Sequence, residues 1–190
     1  MLSIDDLIEK DGLYYESTSD NPFTGEVAGS LVGNFKNGKP HGKLEEYYEN
    51  GNLLSKGNYK DGILDGEFLY YYENGQIKEK ANVKLGKWEG EYLEYYKEGK
   101  LKYKRNYKDD KEEGLNFTYY DTGEIKEKRN YKEGKLEGDF FYYYKNGQLW
   151  IKSNYVNGKL EGKRLVYFDN GQLEKTEIYK DGLNLLRPHH

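Results

Sequence analysis

The sequence predicts an all-β fold in which tandem 24-residue β-hairpin repeats form an elongated antiparallel meander. Glycines at 42, 66, 90, 114, 138 and 162 recur every 24 residues, and a second glycine follows each of them nine residues later. The chain contains 22 tyrosines and three prolines, a composition opposite to that of disordered segments. A fixed period within one chain is typical of architectures in which each unit stacks on its neighbours.

Charge and cysteine content exclude several classes of function. The chain has 190 residues, with 30 Lys plus Arg against 34 Asp plus Glu, so its net charge is -4 and we expect no nucleic-acid partner. It contains no cysteine, which excludes disulfides, thiolate metal ligands and a cysteine nucleophile.

Each repeat has the pattern of a β-hairpin. We number every repeat from its leading glycine, which is position zero; positions five and six are aromatic and position eleven is aliphatic in all six repeats. Four repeats carry Asn-Gly at positions eight and nine, which predicts a two-residue type I′ turn. Such a loop pairs position six with eleven and position five with twelve, so Tyr72 is expected beside Ile77.

This register predicts where each hairpin begins and ends. The six hairpins are expected at residues 43–59, 67–83, 91–107, 115–131, 139–155 and 163–179. The leading glycine is expected opposite position seventeen, and the Gly of each linker is expected to adopt a positive φ and return the chain.

The repeat frame also predicts the domain organisation. Residues 1–41 break the frame and are interpreted as an irregular N-terminal cap with a partial repeat, in which Asp5 to Lys10 form a helical turn. Residues 42–182 hold the six repeats. Residues 183–190 are interpreted as a C-terminal cap followed by the remnant of an expression tag, since the chain ends in Arg-Pro-His-His.

The compartment stays open at this point. The first residues lack the basic and apolar regions of a signal peptide, which favours the cytoplasm for the chain as it stands. A tag at one end also admits a trimmed start, and a removed signal peptide would indicate an exported or periplasmic protein.

Alternation along the strands predicts two different faces. Positions six, eleven and seventeen are expected to form the core face, so Tyr72 and its equivalents should be more buried than Tyr71 and its equivalents. The opposite face is expected to carry Tyr at position five, apolar residues at three, Lys at fourteen and Asn at sixteen. The Lys column has two interpretations: stems lying along Tyr rings with solvated ammonium groups, or a strip for an acidic partner or lipid head groups.

Trp150 departs most clearly from the pattern, because three other repeats have Lys at its position twelve: Lys78, Lys102 and Lys126. The predicted register pairs it with Tyr143, near Phe141. Together with Phe117, Tyr119 and Tyr167 from adjacent repeats, these residues are expected to form an aromatic patch, which is the candidate binding site. The alternative is that Trp150 is buried under the C-terminal cap.

No catalytic, cofactor or metal motif is present in the sequence. There is no P-loop, dinucleotide fingerprint or kinase signature, and no His has a nucleophile at a recognisable spacing. The acidic segment Lys108–Glu113 lacks the spaced oxygen ligands of a calcium site and is interpreted as a solvated loop. We therefore expect no enzyme activity, no cofactor and no metal site.

Two segments resemble a known family. Residues 34–42, with Phe35, Gly38 and Gly42, are similar to a MORN repeat linker, and residues 66–77 are similar to the bacterial MORN-variant repeat. The resemblance extends over about residues 12–182 and implies a β-hairpin repeat sheet. Bacterial relatives include antitoxin or immunity components of the YwqK type, and eukaryotic MORN proteins act as scaffolds.

The functional hypothesis is a non-enzymatic protein-binding module, with a toxin as the finer identification of its partner. The alternatives are a membrane-surface module that uses the Lys and Tyr columns to bind phospholipid head groups, and an enzyme with an unrecognised site. The sequence leaves the oligomeric state open.

Overall fold

The computed structural model describes residues 2–186, which form β-strands and a short 3-10 helix at Ile4–Asp6. The strands are β1 (Leu2–Ser3), β2 (Leu7–Lys10), β3 (Leu13–Glu16), β4 (Gly25–Ala28), β5 (Leu31–Lys36), β6 (Lys39–Tyr47), β7 (Leu53–Lys60), β8 (Ile63–Leu64), β9 (Gly66–Tyr71), β10 (Ile77–Lys84), β11 (Lys87–Tyr95), β12 (Leu101–Lys108), β13 (Lys111–Glu112), β14 (Gly114–Tyr119), β15 (Ile125–Lys132), β16 (Lys135–Leu136), β17 (Gly138–Tyr143), β18 (Leu149–Val156), β19 (Lys159–Leu160), β20 (Gly162–Tyr167), β21 (Leu173–Lys180) and β22 (Leu183–Asn184). The predicted tag remnant, 187–190, lies outside the described residues.

The described chain forms two compact units. Unit 1 comprises the residues up to Gly90 together with 97–99, and unit 2 comprises residues 91–96 together with those from Lys100 onward. The all-β fold class and the tandem repeat are confirmed, and a pair of strands lies at each of the six predicted hairpins. The elongated form of the whole array stays a prediction.

Each unit contains an antiparallel meander. In unit 1, β4, β5, β6, β7, β9 and β10 pair in succession, and β1 adds to β4 in parallel. In unit 2, β12, β14, β15, β17, β18, β20 and β21 pair in the same way. The short strands β8, β13, β16, β19 and β22 each pair with the end of the preceding long strand.

The turn at Asn-Gly differs from the predicted type I′. The Gly75 amide donates to the Tyr72 carbonyl at 2.8 Å and the Tyr72 amide donates to the Gln76 carbonyl at 2.8 Å, so the loop has three residues, Glu73 to Gly75. Only the glycine has a positive φ, 83°, whereas type I′ needs two such residues. The turn is therefore type I followed by a left-handed glycine, and the predicted type was wrong.

The three-residue loop changes the pairing beside the turn. Tyr71 pairs with Ile77, and a bulge at Lys78 then restores the predicted register, in which Tyr70 pairs with Glu79 and Gly66 with Val83. The expected pairs of position six with eleven and of position five with twelve were thus wrong. The predicted pairs farther from the turn are confirmed. The longer loop shifts the pairing by one residue, and the extra residue in the bulge shifts it back.

Type I′ turns occur instead in the linkers between repeats. Asp61 and Gly62 have φ angles of 52° and 83°, and they connect Lys60 and Ile63, which pair. Two successive positive φ angles give the twist that joins two strands directly. Each linker is therefore a second hairpin. Its glycine has the expected positive φ, except in the third repeat, where Asp109 and Asp110 take the two positive φ angles, 48° and 67°.

The N-terminal region contains a hydrophobic cluster. Leu7, Phe23, Val27 and Phe35 are buried together, and Tyr14 packs edge-on against Phe35 at 5.2 Å between ring centroids. The predicted helical turn from Asp5 to Lys10 was wrong for most of its length, because Leu7–Lys10 form a strand that pairs with β3. Burial of Leu7 in the cluster favours the strand, and the helix ends at Asp6.

Tyrosine at position six connects successive repeats. The Tyr120 hydroxyl donates to the Tyr143 carbonyl at 2.7 Å, and the Tyr144 hydroxyl donates to the Tyr167 carbonyl at 2.9 Å. Tyr48 and Tyr96 make the same bond to the next repeat. Residues at positions five and six are half-buried alike, except that Phe168 at position six is 46% exposed. The expected greater burial of position six is not seen, because the aliphatic residue at position eleven, which was expected to share its face, pairs with position five instead.

Candidate functional site

The observed register divides the repeat side chains between two faces of the sheet. The Tyr–Lys face carries positions one, three, five, eleven, fourteen and sixteen, represented in one repeat by Leu115, Phe117, Tyr119, Ile125, Lys128 and Asn130. The variable face carries positions two, four, thirteen, fifteen and seventeen, represented by Asn116, Thr118, Glu127, Arg129 and Tyr131. The aliphatic residue at eleven therefore lies with the Tyr at five, not on the opposite face as predicted.

Five of the six predicted site residues lie on the Tyr–Lys face. The rings of Phe117 and Tyr119 stack with their centroids 6.3 Å apart, and Phe141 and Tyr143 stack at the same distance. Tyr167 occupies position five of the next repeat and so shares this face. All five side chains are half-buried.

Trp150 lies apart from these residues. Tyr143 pairs with Leu149, so Trp150 falls in the bulge rather than opposite Tyr143 as predicted. Its half-buried ring packs edge-on against Tyr142 at 4.9 Å and stacks on Tyr144 at 5.3 Å. The bulge thus places Trp150 among aromatic residues of the variable face, and the structure does not bring the six predicted residues into one patch.

Lysine at position fourteen alternates with the apolar residue at three across the Tyr–Lys face. Lys128 pairs with both Phe117 and Phe141, and Lys152 pairs with Phe141. The ammonium groups of Lys128 and Lys152 lie 5.9 and 5.6 Å from the Phe141 ring centroid. These contacts agree with the interpretation that Lys stems lie along aromatic rings.

Asparagine at position sixteen holds the linker of its own repeat. The Asn130 Nδ2 donates to the Glu137 carbonyl at 3.1 Å, and the Glu137 amide donates to the Asn130 carbonyl at 2.9 Å. The carboxylate of Glu137 in turn accepts from the Asn157 amide at 2.8 Å, in the following linker. These bonds make the Asn column structural, and they bind each repeat to the next.

On the variable face, residues that pair across the hairpin complement each other. Large residues at position two face small ones at fifteen: Leu44 faces Gly57, Phe68 faces Ala81 and Phe140 faces Ser153. In the last repeat the two facing residues have opposite charges in place of different sizes. Arg164 Nη1 lies 2.6 Å from Glu177 Oε2, and Glu177 is 4% exposed. Hydrogen bonds from Lys175 and Arg164 lower the pKa of Glu177, although burial opposes this.

Unit 2 has a polar cleft on this face. The cleft has a volume of about 420 Å³, and its lining includes Arg105, Glu112, Asn116, Glu127 and Arg129. The sequence pattern did not assign Arg105, Asn116, Glu127 or Arg129 to a site, and it placed Glu112 only in the acidic segment that was interpreted as a solvated loop. A signal was available: position fifteen reads Gly, Ala, Arg, Arg, Ser, Glu along the chain, so two arginines interrupt a column of small residues.

The described residues, 2–186, contain no group of three or more His, Cys, Asp or Glu that could hold a metal ion. In the acidic segment, Glu113 accepts from the Glu133 amide at 2.8 Å and Glu112 accepts from Asn116 Nδ2 at 3.0 Å. Within the same part of the chain, no helix has the length and apolar character needed to span a membrane.

The repeats match a known family model. The model of the MORN repeat variant matches residues 40–61, 64–85, 88–109, 112–133, 136–157 and 160–181. The chain belongs to the MORN repeat variant family. MORN repeats are generally protein- or membrane-binding modules.

Comparisons with other proteins add little to the MORN assignment. The curated proteins gave no match to the sequence. Among solved structures, this MORN chain is similar to one titled "Crystal structure of GtfA/B complex bound to UDP and GlcNAc", with 16% identity and a TM-score of 0.25. The match covers 61% of this chain and 22% of that chain, so this chain spans less than a quarter of the length of the solved one.

Proposed function

We propose that the chain is a non-enzymatic protein-binding module whose partner docks on the Tyr–Lys face of unit 2. The observation that carries the proposal is the apolar character of this face where side chains are accessible. Leu115 is 44% exposed and Ile125 is 39% exposed, and the stacked aromatic pairs lie beside them, half-buried. A contiguous accessible apolar surface of this kind is typical of an interaction site.

The composition of the face suits a protein partner. Rigid aromatic side chains supply contact area at low entropic cost, and a lysine on each side of every Phe supplies a polar surround. We therefore propose Phe117, Tyr119, Phe141, Tyr143 and Tyr167 as the docking residues. Trp150 is left out, since its contacts are with Tyr142 and Tyr144 on the variable face.

The finer proposal is that the partner is a toxin and that the chain is an antitoxin or immunity protein of bacterial origin. Support for it comes from the resemblance of residues 66–77 to repeats of YwqK-type bacterial proteins. Docking of a partner over an extended face would neutralise a toxin by occlusion, which needs no catalytic group in this chain.

The membrane alternative depends on the free positive charge of the Lys column. Lys80 Nζ lies 2.6 Å from Glu67 Oε2 in unit 1, and Lys104 Nζ lies 2.5 Å from Glu91 Oε2 in unit 2. Carboxylates at position one therefore offset part of the charge that would attract anionic lipids. This favours a protein over a lipid surface as the partner.

The test uses the protein encoded beside this chain, purified, as the partner in isothermal titration calorimetry. We expect Phe141→Ala and Tyr143→Ala each to weaken binding by about 2 kcal/mol or more, roughly thirtyfold, because each removes an anchor. Val156, 43% exposed and outside the docking residues, supplies the control, and Val156→Ala should change affinity less than threefold, which is about 0.6 kcal/mol.

A co-sedimentation assay with anionic liposomes distinguishes the alternative. Salt-sensitive binding that is lost in Lys128→Gln would favour the membrane module. A neighbouring protein that binds and is no toxin would leave the protein-binding module and remove the antitoxin proposal.

A further inference from the structure

The two arginines at position fifteen lack a carboxylate directly across the hairpin. Arg129 faces Asn116, and the guanidinium of Arg105 lies 5.9 Å from the Tyr92 ring centroid. In the last repeat, by contrast, Arg164 faces Glu177 and pairs with it at 2.6 Å. Arg164, at position two of its repeat, therefore faces a carboxylate, whereas the two arginines at position fifteen do not.

Arg105 is held in place by aromatic rings rather than by ion pairs. Its guanidinium carbon lies 4.4 Å from the Tyr103 ring centroid, in addition to the contact with Tyr92. Its polar contacts are long: Nε lies 3.9 Å from Glu112 Oε1, and Nη1 lies 3.5 Å from the Tyr107 hydroxyl. Arg105 is thus a planar donor group held in position by rings, with its side chain 33% exposed.

Arg129 keeps an unused donor. Its Nη2 donates to Glu127 Oε2, but its Nε is buried without a hydrogen-bond partner. This Nε is shielded from solvent, so a ligand would bind the accessible part of the Arg129 side chain, which is 36% exposed.

The carboxylates in the cleft already have partners. Glu112 accepts from Asn116 Nδ2 at 3.0 Å, and Glu127 accepts from Arg129 and, at 3.4 Å, from the Thr118 hydroxyl. The lining contains three cations, Arg105, Lys126 and Arg129, against these two carboxylates. The excess of one positive charge within a chain of net charge -4 favours one monoanionic group.

We infer that the cleft of the variable face binds a carboxylate, supplied by an acidic peptide segment, through the guanidinium groups of Arg105 and Arg129. A carboxylate matches the planar donor fork of arginine. A phosphate would also fit that fork, but its second negative charge would lie close to Glu112 and Glu127. The cleft is lined mainly by residues of the variable face, but Phe117, one of the proposed docking residues, also borders it. The variants that test the cleft leave Phe117 and the other docking residues unchanged, so failure of one proposal can be distinguished from failure of the other.

The direct test observes the two arginines in the unaltered protein. Arginine Nε–Hε signals are followed by NMR during titration with hexaglutamate, glutarate or inorganic phosphate. We expect the signals of Arg105 and Arg129 to shift with hexaglutamate and more weakly, if at all, with phosphate. Equal affinity for glutarate and hexaglutamate would keep the carboxylate site but assign it to a small free acid.

Variants then test the role of each side chain. Arg105→Gln and Arg129→Gln should each weaken hexaglutamate binding roughly tenfold or more, the loss of a charge-assisted hydrogen bond. Arg105→Lys keeps the charge and a long stem, and it should still weaken binding because the planar fork is lost. Lys128→Gln, in the same repeat on the other face, should leave affinity within twofold of the unaltered protein, less than about 0.5 kcal/mol.

Three results would overturn the inference. The first is unchanged Arg105 and Arg129 signals at saturating hexaglutamate. The second is tighter binding of phosphate than of both carboxylate probes. The third is equal weakening by Lys128→Gln, which would indicate general electrostatic attraction in place of a site.

Discussion

The N-terminal region of unit 1 and the repeats of unit 2 are stabilised in different ways. In the N-terminal region the buried side chains are apolar and belong to one cluster, formed by Leu7, Phe23, Val27 and Phe35. In unit 2 the described buried side chains are mostly polar, with Val166 the apolar one; the others are Asn116, Glu127, Ser153 and Glu177. The repeats of unit 2 therefore depend on hydrogen bonds and half-buried rings far more than on a core.

This difference explains how a chain with so many tyrosines can fold. The repeats bury few large apolar residues, among them Leu69, Val83 and Val166, but they half-bury tyrosine while its hydroxyl bonds to the next repeat. Such contacts join nearest neighbours, so the stability of a repeat is a sum of local terms. The N-terminal cluster, by contrast, should respond as one packed unit.

The largest effect is expected from the cluster. Phe35 is 3% exposed and contacts Tyr14 and Phe23, so Phe35→Ala should lower the free energy of unfolding by about 3–5 kcal/mol through lost burial and a residual cavity. Urea denaturation measures the change. Phe168→Ala, at an exposed ring of the last repeat, is the control and should cost less than about 1 kcal/mol. Equal losses would mean that the two regions are stabilised alike.

A smaller effect is expected from the tyrosine ladder. Tyr120→Phe removes the hydroxyl that donates to the Tyr143 carbonyl, and it should lower the free energy of unfolding by about 1 kcal/mol. Tyr119→Phe makes the same chemical change one residue earlier, on the Tyr–Lys face, and should have almost no effect on stability. Thermal denaturation of both variants checks the ladder, and an effect confined to Tyr119 would contradict it.

The linker turns allow a stabilising substitution. Leu85 has a φ of 50° at the first position of its type I′ turn, a backbone conformation that is strained for leucine. Its side chain is 68% exposed, so burial of that side chain does little to offset the strain. Leu85→Asn should raise the free energy of unfolding by about 0.5–1 kcal/mol, since Asn tolerates this conformation. The reverse change at the equivalent turn, Asn157→Leu, should lower it. Chemical denaturation that gave both changes the same sign would refute the turn assignment.

The smallest effect concerns acid sensitivity in the last repeat. Hydrogen bonds from Lys175 and Arg164 lower the pKa of Glu177 in the folded state. The carboxylate therefore stabilises the fold above the unfolded-state pKa of about 4.3, and this stabilisation is lost as the pH falls through the lower pKa of the folded state. Glu177→Gln should flatten this part of the pH profile. Circular dichroism during acid titration would show it, and an identical profile in the variant would exclude this role.

Most of the fold could be predicted from the repeat frame. The leading glycines and the aromatic pairs placed all six hairpins, and the distant cross-strand pairs, such as Gly138 with Tyr155, follow from the spacing alone. Prediction failed within two residues of the turn. A bulge there is invisible in the pattern, yet one inserted residue moves a side chain to the other face. That single step separated Trp150 from Phe141 and Tyr143.

The sequence by itself determined the period, the strands and the columns of like residues, because these depend on spacing along the chain. Only the tertiary structure decided which columns share a face and which side chains meet across repeats. Arg105 and Glu127 line one cleft because pairing of β12 with β14 and of β14 with β15 brings consecutive repeats side by side. Side chains about a period apart become neighbours only through that pairing, so the cleft is a property of the assembled sheet and not of any one repeat.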